Sequence, residues 1–195
     1  LDTDTSNAPP SAAKSLAPRI AAAKPKAAPA DPTSTDPTTP GPFAYTEAVY
    51  NFGAQAIPLA NIGGIRGEVE GKIYLPTGGG PHPLVIFLHG RHSSCYKSDP
   101  TAPNASGWPC PTGYTEIPSY AGYDGAGEAL ASNGYTVVSI GADAINSNDN
   151  QLAPDDGAVA RGQLVLDNLT WLKQANAGKP VSFFDAAKNQ TVTLD

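Results

Sequence analysis

Charged side chains and long apolar runs are scarce in this sequence. Charged residues make up 15% of its 195 residues, and 18 acidic against 12 basic residues leave a formal net charge of −6. A weakly charged, acidic chain argues against nucleic acid and anionic membrane as partners, since both attract basic surfaces. No apolar run approaches the roughly 20 residues that a transmembrane helix needs, so we predict no membrane span.

Methionine is absent, and cysteine occurs only twice, at Cys95 and Cys110 in a stretch rich in Pro, Gly and Ser. Two cysteines are too few for a structural zinc site, which takes four ligands. An even pair in a loop is typical of a disulfide in an oxidising compartment, and two reduced cytosolic thiols are the alternative. The chain begins with Leu1 and has no basic-then-apolar signal segment, which is typical of a mature secreted, extracellular protein.

Residues 1–42 differ in composition from the rest of the chain. They are largely Ala, Pro, Thr, Ser, Lys and Asp, with a proline every few residues. Such prolines prevent a regular helix, and the few apolar side chains cannot offset the entropy lost on ordering. We therefore predict a disordered Pro/Ala/Thr-rich tail over residues 1–42, followed by one folded region over residues 43–195.

Short β-rich stretches open the folded region between residues 43 and 65. Residues 67–75 then alternate in polarity, with Val69, Ile73 and Leu75 on one face. Alternation with a period of two predicts a half-buried strand near a sheet edge.

Two later segments are almost continuously apolar. Residues 84–88 and 135–140 are therefore predicted to be strands that are buried on both faces, as in a parallel sheet. Between them, residues 123–132 form a predicted helix, which Asn133 and Gly134 end in the left-handed position. Strands that alternate with helices predict an α/β fold, with antiparallel strands first and parallel βαβ units after them.

A polar loop and then the strongest helical pattern of the chain follow the second apolar strand. Asp155 and Asp156 lie at the positive end of this predicted helix, and Gly178 closes it. One face is predicted to be apolar, at helical spacing: Ala158, Gly162, Val165, Leu169 and Leu172.

The motif His89-Gly90-Arg91-His92 directly follows strand 84–88. A strand that ends in His-Gly, with β-strands before it and helix, strand and helix after it, resembles the α/β-hydrolase family. The nearest likeness is to secreted bacterial esterases of the dienelactone-hydrolase, cutinase-like and chlorophyllase-like type. The resemblance covers about residues 67 to 178 and implies the N-terminal half of an α/β-hydrolase sheet.

In that family the loop after this strand supplies one backbone N–H of the oxyanion hole. Carried over by position, the donor is the N–H of Arg91, with His92 as the second choice. Gly90 is expected to turn the backbone sharply beside the substrate. Tyr120 and Tyr123 are candidate substrate-binding residues, since the corresponding segments border the cleft; packing of the long loop is the alternative.

The family's nucleophile stands in Gly-x-Ser-x-Gly, which these 195 residues do not contain. In family order the Ser, the acid and the His all follow the helix that ends near Gly178. The resemblance therefore implies that a C-terminal remainder carries the triad and that this chain alone is inactive. The expected activity is hydrolysis of small carboxylic esters without a cofactor. A non-catalytic binding domain of the same fold and a peptidase are the alternatives.

Two further patterns can be interpreted as metal ligands. His89 and His92 stand three residues apart, but packed and surface loop histidines are the simpler interpretation. Residues 143–156 are rich in oxygen ligands but lack the Gly and Glu of a calcium loop. Helix capping and Asx turns account for them, so no metal site is predicted.

Overall fold

The structure is a computed structural model that describes residues 39–78 and 80–194. The tail predicted for residues 1–42 lies outside the described residues as far as residue 38, so its disorder stays a prediction. No helix of the described residues is long and apolar enough to cross a membrane.

The elements in chain order are β1 Tyr45–Asn51, β2 Ile57–Leu59, β3 Ile65–Gly67, β4 Glu70–Pro76, β5 Leu84–Leu88, β6 Cys95–Tyr96, β7 Thr115–Glu116, a 3₁₀ helix Ser119–Tyr123, α1 Asp124–Ser132, β8 Thr136–Ile140, α2 Asp143–Leu152, α3 Ala158–Asn176, β9 Val181–Asp185 and β10 Gln190–Leu194.

Four strands form the central sheet in the order β1-β4-β8-β5. The pairs β1–β4 and β4–β8 are antiparallel, whereas β8–β5 is parallel, with Leu84 opposite Thr136 and Leu88 opposite Ile140. The parallel pair is connected through α1, as parallel neighbours require a crossover. This mixed sheet confirms the α/β class and contains one parallel βαβ unit. The strand that follows α3, β9, instead pairs antiparallel with β10 in a separate two-stranded sheet.

Strand β5 has an apolar side chain at every position, but it is an edge strand of the described sheet. Leu84 is 43% exposed, and the other four side chains of β5 are only partly buried. The prediction that β5 is buried on both faces is therefore wrong for the described residues. For β8 it is right, because Val137, Val138 and Ile140 have neighbouring strands on both sides and are fully buried.

The strand predicted over residues 67–75 differs in position and pattern. It is split into β3 and β4, and β4 is an interior strand with β1 and β8 as neighbours. Leu75 is exposed, whereas Tyr74 on the opposite face is fully buried. The predicted edge position is therefore wrong, whereas the predicted face is right for Val69 and Ile73, which join the larger core. The opposite face is covered as well, because helix α1 packs on Tyr74.

Helices cover the sheet on both faces. On one face, Tyr74 and Val137 pack with Ala131 of α1. On the other face, Val138 and Ile140 belong to a larger core with Trp171 of α3 and residues of α2. Consecutive residues of β8 thus enter different cores, which makes the described part of the chain a three-layer arrangement.

Helix α3 forms where the periodicity predicts a helix, but it buries a different face. Its buried residues are Ala160, Leu164, Asn168 and Trp171, whereas Gly162 and Leu169 of the predicted face are exposed. The aromatic ring of Trp171 packs 4.8 Å from that of Tyr50. Apolar residues occur on both sides of this helix, so tertiary packing, not periodicity, selects the buried face.

Residues 143–152 form helix α2, where a polar loop was predicted. The reason lies far away in sequence, because the Glu68 carboxylate accepts hydrogen bonds from the backbone N–H groups of Asp143 and Ala144. A carboxylate at a helix N-terminus satisfies unpaired N–H groups and interacts favourably with the helix dipole. The predicted capping by Asp155 is confirmed, since its carboxylate accepts from the N–H of Val159 at 2.8 Å.

The disulfide Cys95–Cys110 is present. It closes a loop that begins with β6, and β7 follows a few residues after Cys110. The antiparallel pairing of β6 with β7 places Glu116 opposite Cys95.

Candidate functional site

Polar residues converge where β5 and β8 end. His89 directly follows β5, and Asp143 begins α2 shortly after β8. Because β4 runs antiparallel to β8, its first residue, Glu70, lies at the same edge, with Gly71 opposite Ile140. The carboxyl ends of parallel strands are where ligands bind in open α/β sheets, so this edge is the candidate site.

His89 is buried and both of its ring nitrogens form hydrogen bonds. Nε2 accepts from the backbone N–H of Ala142 at 2.8 Å, so the proton is on Nδ1, which donates to the carbonyl of Gly90 at 3.0 Å. Burial lowers the pKa of His89 to about 4. His89 is therefore a neutral residue that joins two loops, and it has no free lone pair for a metal or a transferred proton.

His92 stacks against His89, with ring centroids 5.0 Å apart, and its Nδ1 lies 2.7 Å from the carbonyl oxygen of Ser93. A nitrogen of each histidine and an oxygen of Asp143 lie within 4.8 Å of one another. This arrangement does not make a metal centre, because the hydrogen bond from Ala142 occupies Nε2 of His89.

The loop His89–His92 presents backbone donors at this edge. Within the described part of the chain, the N–H groups of Arg91 and His92 donate to no acceptor. Gly90 is exposed and a Cβ built on it would meet no atom within 4 Å. Gly90 has no positive φ, and the chain bends at Arg91 directly after it.

A buried ionic network holds this loop against α2 and α3. Asp149, which is 1% exposed, receives Arg91 at 3.2 Å on one carboxylate oxygen and Arg161 at 3.1 Å on the other. Arg161 also donates to Asn146 at 2.7 Å, and Asn146 donates to the carbonyl of Gly90 at 3.2 Å. The loop is thus held at its backbone, through the carbonyl of Gly90, and through the side chain of Arg91.

The two tyrosines predicted to bind substrate lie in different surroundings. The ring of Tyr123 stacks on Phe87 of β5 at 5.0 Å, beside the open sheet edge. Tyr120 is half-buried near acidic groups, since burial and the charges of Glu70 and Glu116 raise the pKa of its hydroxyl. Neither the packing of Tyr123 nor that of Tyr120 indicates a shared pocket.

Four acidic residues approach one another at this edge and are here called the carboxyl cluster: Glu68, Glu70, Glu116 and Asp143. Only Asp143 was considered from the sequence, as part of the oxygen-rich stretch 143–156, and the other three were missed. Three of them are at most 3% exposed. Glu68 and Glu70 alternate with Val69, so the pattern that predicted a strand also placed two carboxylates on its other face. The other two members belong to β7 and to α2, and no local pattern relates them to Glu68.

Burial raises the pKa of every member of the carboxyl cluster. The pKa of Asp143 rises to about 9 through burial and through the charges of Glu68 and Glu116. Burial also raises the pKa of Glu68, to about 7. Hydrogen bonds from the backbone N–H groups of α2 favour the charged carboxylate and offset part of this rise. The values for Glu70 and Glu116 also rise, chiefly through burial. Without a cation the cluster therefore retains protons near neutral pH.

Comparison with known proteins identifies no relative of this chain. No protein-family model matches it, and no curated protein or solved structure does.

Proposed function

We propose that this chain is the N-terminal part of an extracellular serine hydrolase of the α/β-hydrolase type, which acts on carboxylic esters. The observation that carries the proposal is the backbone N–H of Arg91, which has no acceptor among the described residues and follows β5 at the candidate edge. An N–H held ready at this place is what an oxyanion hole needs.

The proposed role of Arg91 is electrostatic. When a serine attacks an ester carbonyl, the carbonyl oxygen becomes negatively charged, and a fixed N–H stabilises that charge more than it stabilises the ester. His92 supplies the second candidate N–H. The hydrogen bonds and ion pairs that fix this loop limit the reorganisation needed during the reaction.

The order of strands supports the fold part of the proposal. In the α/β-hydrolase family that the chain resembles, antiparallel strands likewise come first and parallel crossovers follow. Here β1 and β4 pair antiparallel, and β5, α1 and β8 form a parallel crossover. The disulfide Cys95–Cys110 fits an oxidising compartment and therefore supports secretion.

The open edge of β5 supports the proposed partner, a C-terminal remainder of the same polypeptide. Parallel strands with apolar side chains at every position occur almost only where both faces are covered. Leu84 and Phe87 are nevertheless only partly buried in the described chain. A further parallel strand beside β5, with its own helix, would cover them and would place its C-terminal end beside Arg91.

The reaction divides between the two parts of the polypeptide. A serine of the remainder would attack the ester carbon while a histidine takes its proton, and the alcohol would leave with that proton. Water would then hydrolyse the acyl-enzyme by the same steps. This chain would supply the oxyanion donors throughout and would not exchange a proton, since His89 is neutral and engaged.

The test is hydrolysis of p-nitrophenyl esters by this 195-residue chain alone and by the polypeptide that its gene encodes without truncation. We expect turnover only where residues that follow Asp195 are present. Turnover by the chain alone, or none by a polypeptide that extends well past Asp195, would contradict the proposal.

A further inference from the structure

Three members of the carboxyl cluster meet at one point. An oxygen from each of Glu70, Glu116 and Asp143 lies within 4.8 Å of the others. The three residues come from β4, from β7 and from the start of α2. Oxygen atoms spaced in this way can bind one cation together, because Ca²⁺ accepts carboxylate ligands at about 2.3–2.6 Å in irregular geometry.

The Glu70 carboxylate provides a second, independent observation. Its Oε2 accepts a hydrogen bond from the side chain of Asn51 at 2.7 Å, which fixes the group. Its Oε1 has no hydrogen-bond donor in the described structure, although Glu70 is only 3% exposed. A buried carboxylate oxygen without a donor is costly, and the neighbouring Glu116 carboxyl can satisfy it only if the pair keeps a proton.

The positive side chains nearby do not pair with these carboxylates. Among the described residues, neither Lys nor Arg forms an ion pair with Glu70, Glu116 or Asp143, although the charge of Lys188 acts on Glu116. His89 approaches Asp143 at 4.0 Å, but its Nε2 accepts a hydrogen bond and carries no proton. Several desolvated carboxylates without an ion-pair partner need either protons or a metal ion.

We propose that Glu70, Glu116 and Asp143 form a binding site for a divalent cation of the calcium type. All three residues offer oxygen ligands, whereas zinc and copper are selected by softer sulfur and nitrogen ligands. Calcium fits better than magnesium, because magnesium demands a near-ideal octahedron and keeps several waters, whereas these residues are buried. Glu68 is already engaged with the amides of α2 and stays a neighbour of the ion.

The site has a structural consequence. Glu116 belongs to β7, which pairs with the disulfide-bonded strand β6, whereas Glu70 and Asp143 belong to the body of the fold. A cation shared by the three would hold the β6–β7 pair against the sheet next to the His89–His92 loop. This site is independent of the proposed esterase activity, because none of its three ligands supplies an oxyanion donor.

The experiment is titration calorimetry with CaCl₂, and separately MgCl₂, on the protein stripped of metal with EGTA. Thermal unfolding with and without Ca²⁺ gives a second readout. We expect one Ca²⁺ per chain, weaker Mg²⁺ binding and a higher Tm with Ca²⁺. Affinity for Ca²⁺ should fall at least about tenfold in Glu116→Gln and in Glu70→Gln, because each loses a charged ligand. The exposed Asp156→Asn should bind Ca²⁺ as the wild type does.

Two results would overturn the proposal. One is a wild-type protein that gives no heat of binding and no change in Tm with Ca²⁺, because the cluster then holds protons in place of a metal. The other is equal Ca²⁺ affinity in the wild type and both glutamine variants, because the ion then binds elsewhere. The glutamine of Glu70→Gln keeps the shape next to Asn51, and folding of either variant is checked by circular dichroism. Ester hydrolysis is not part of this test, so its failure is separate from failure of the proposed function.

Discussion

The backbone N–H of Ala142 donates to Nε2 of His89 at 2.8 Å, across 53 positions of the chain. Ala142 follows β8 and His89 follows β5, so this bond joins the ends of the two parallel strands. The other ring nitrogen of His89, Nδ1, donates to the carbonyl of Gly90. His89 therefore couples the proposed oxyanion loop to the sheet. The imidazole acts here by its shape and its two hydrogen bonds.

His89→Ala should therefore destabilise the fold. It leaves the N–H of Ala142 without its acceptor and opens a cavity beside Asp143, so we expect a loss of about 2–4 kcal/mol in the free energy of unfolding. Urea denaturation of the wild type and of His89→Ala measures this loss. His92→Ala is the matched control, because the hydrogen bond of His92 is to the carbonyl of its neighbour Ser93 and joins no distant segments, so the substitution should cost less than about 1 kcal/mol. Equal losses would contradict the assigned role.

The contribution of His89 to stability should depend on pH. Its pKa is lowered to about 4 in the fold, against an ordinary value of 6.5. Between these values the unfolded chain binds the proton and the folded chain does not, so this contribution is present above 6.5 and is lost as pH falls towards 4. The difference in unfolding free energy between wild type and His89→Gln, measured from pH 7.5 to pH 4.5, should shrink as pH falls. A constant difference would contradict the lowered pKa.

Arg91→Pro removes the proposed oxyanion donor, because proline has no N–H. In the active polypeptide we expect kcat for ester hydrolysis to fall about 10²–10³-fold, the usual effect of losing one such donor. Arg91→Ala keeps the N–H but loses the ion pair with Asp149, so it measures the effect of the side chain alone. If the two variants lose the same activity, the N–H of Arg91 is not the donor and His92 is tested in the same way.

Asp149→Asn should loosen the loop and destabilise the chain. The buried carboxylate binds Arg91 and Arg161, and removal of one charge of a buried ion pair typically costs about 3–5 kcal/mol. Since Arg91 is partly exposed, we expect the lower end of this range, measured by thermal and urea unfolding. The control is Asp167→Asn, whose carboxylate accepts only an exposed hydrogen bond from Gln163 and should cost less than about 1 kcal/mol. A silent Asp149→Asn would show that the network does not stabilise the fold.

Local signals predicted much of the secondary structure. The apolar runs predicted β5 and β8, and helix α1 ends as predicted with Gly134 at φ +91°. The disulfide followed from cysteine number and loop composition. Each of these depends on neighbouring residues, which is why the sequence alone predicts them.

The errors share one physical cause, namely contacts between distant residues. Helix α2 begins at a carboxylate supplied by Glu68, and α3 buries the face that meets Tyr50. The exposure of the β5 side chains depends on whether another strand lies beside β5 in the sheet. The carboxyl cluster likewise joins separate elements, so only the fold brings its members together.

Fluorophosphonate labelling of the protein purified from its source, followed by intact mass and peptide mapping under reducing conditions, tests whether this chain is part of a serine hydrolase. We expect the label on a serine of a polypeptide segment outside residues 1–195, either continuous with this chain or purified together with it. Absence of label on a folded protein that contains such a segment, or a label on a serine within residues 1–195, would contradict this expectation.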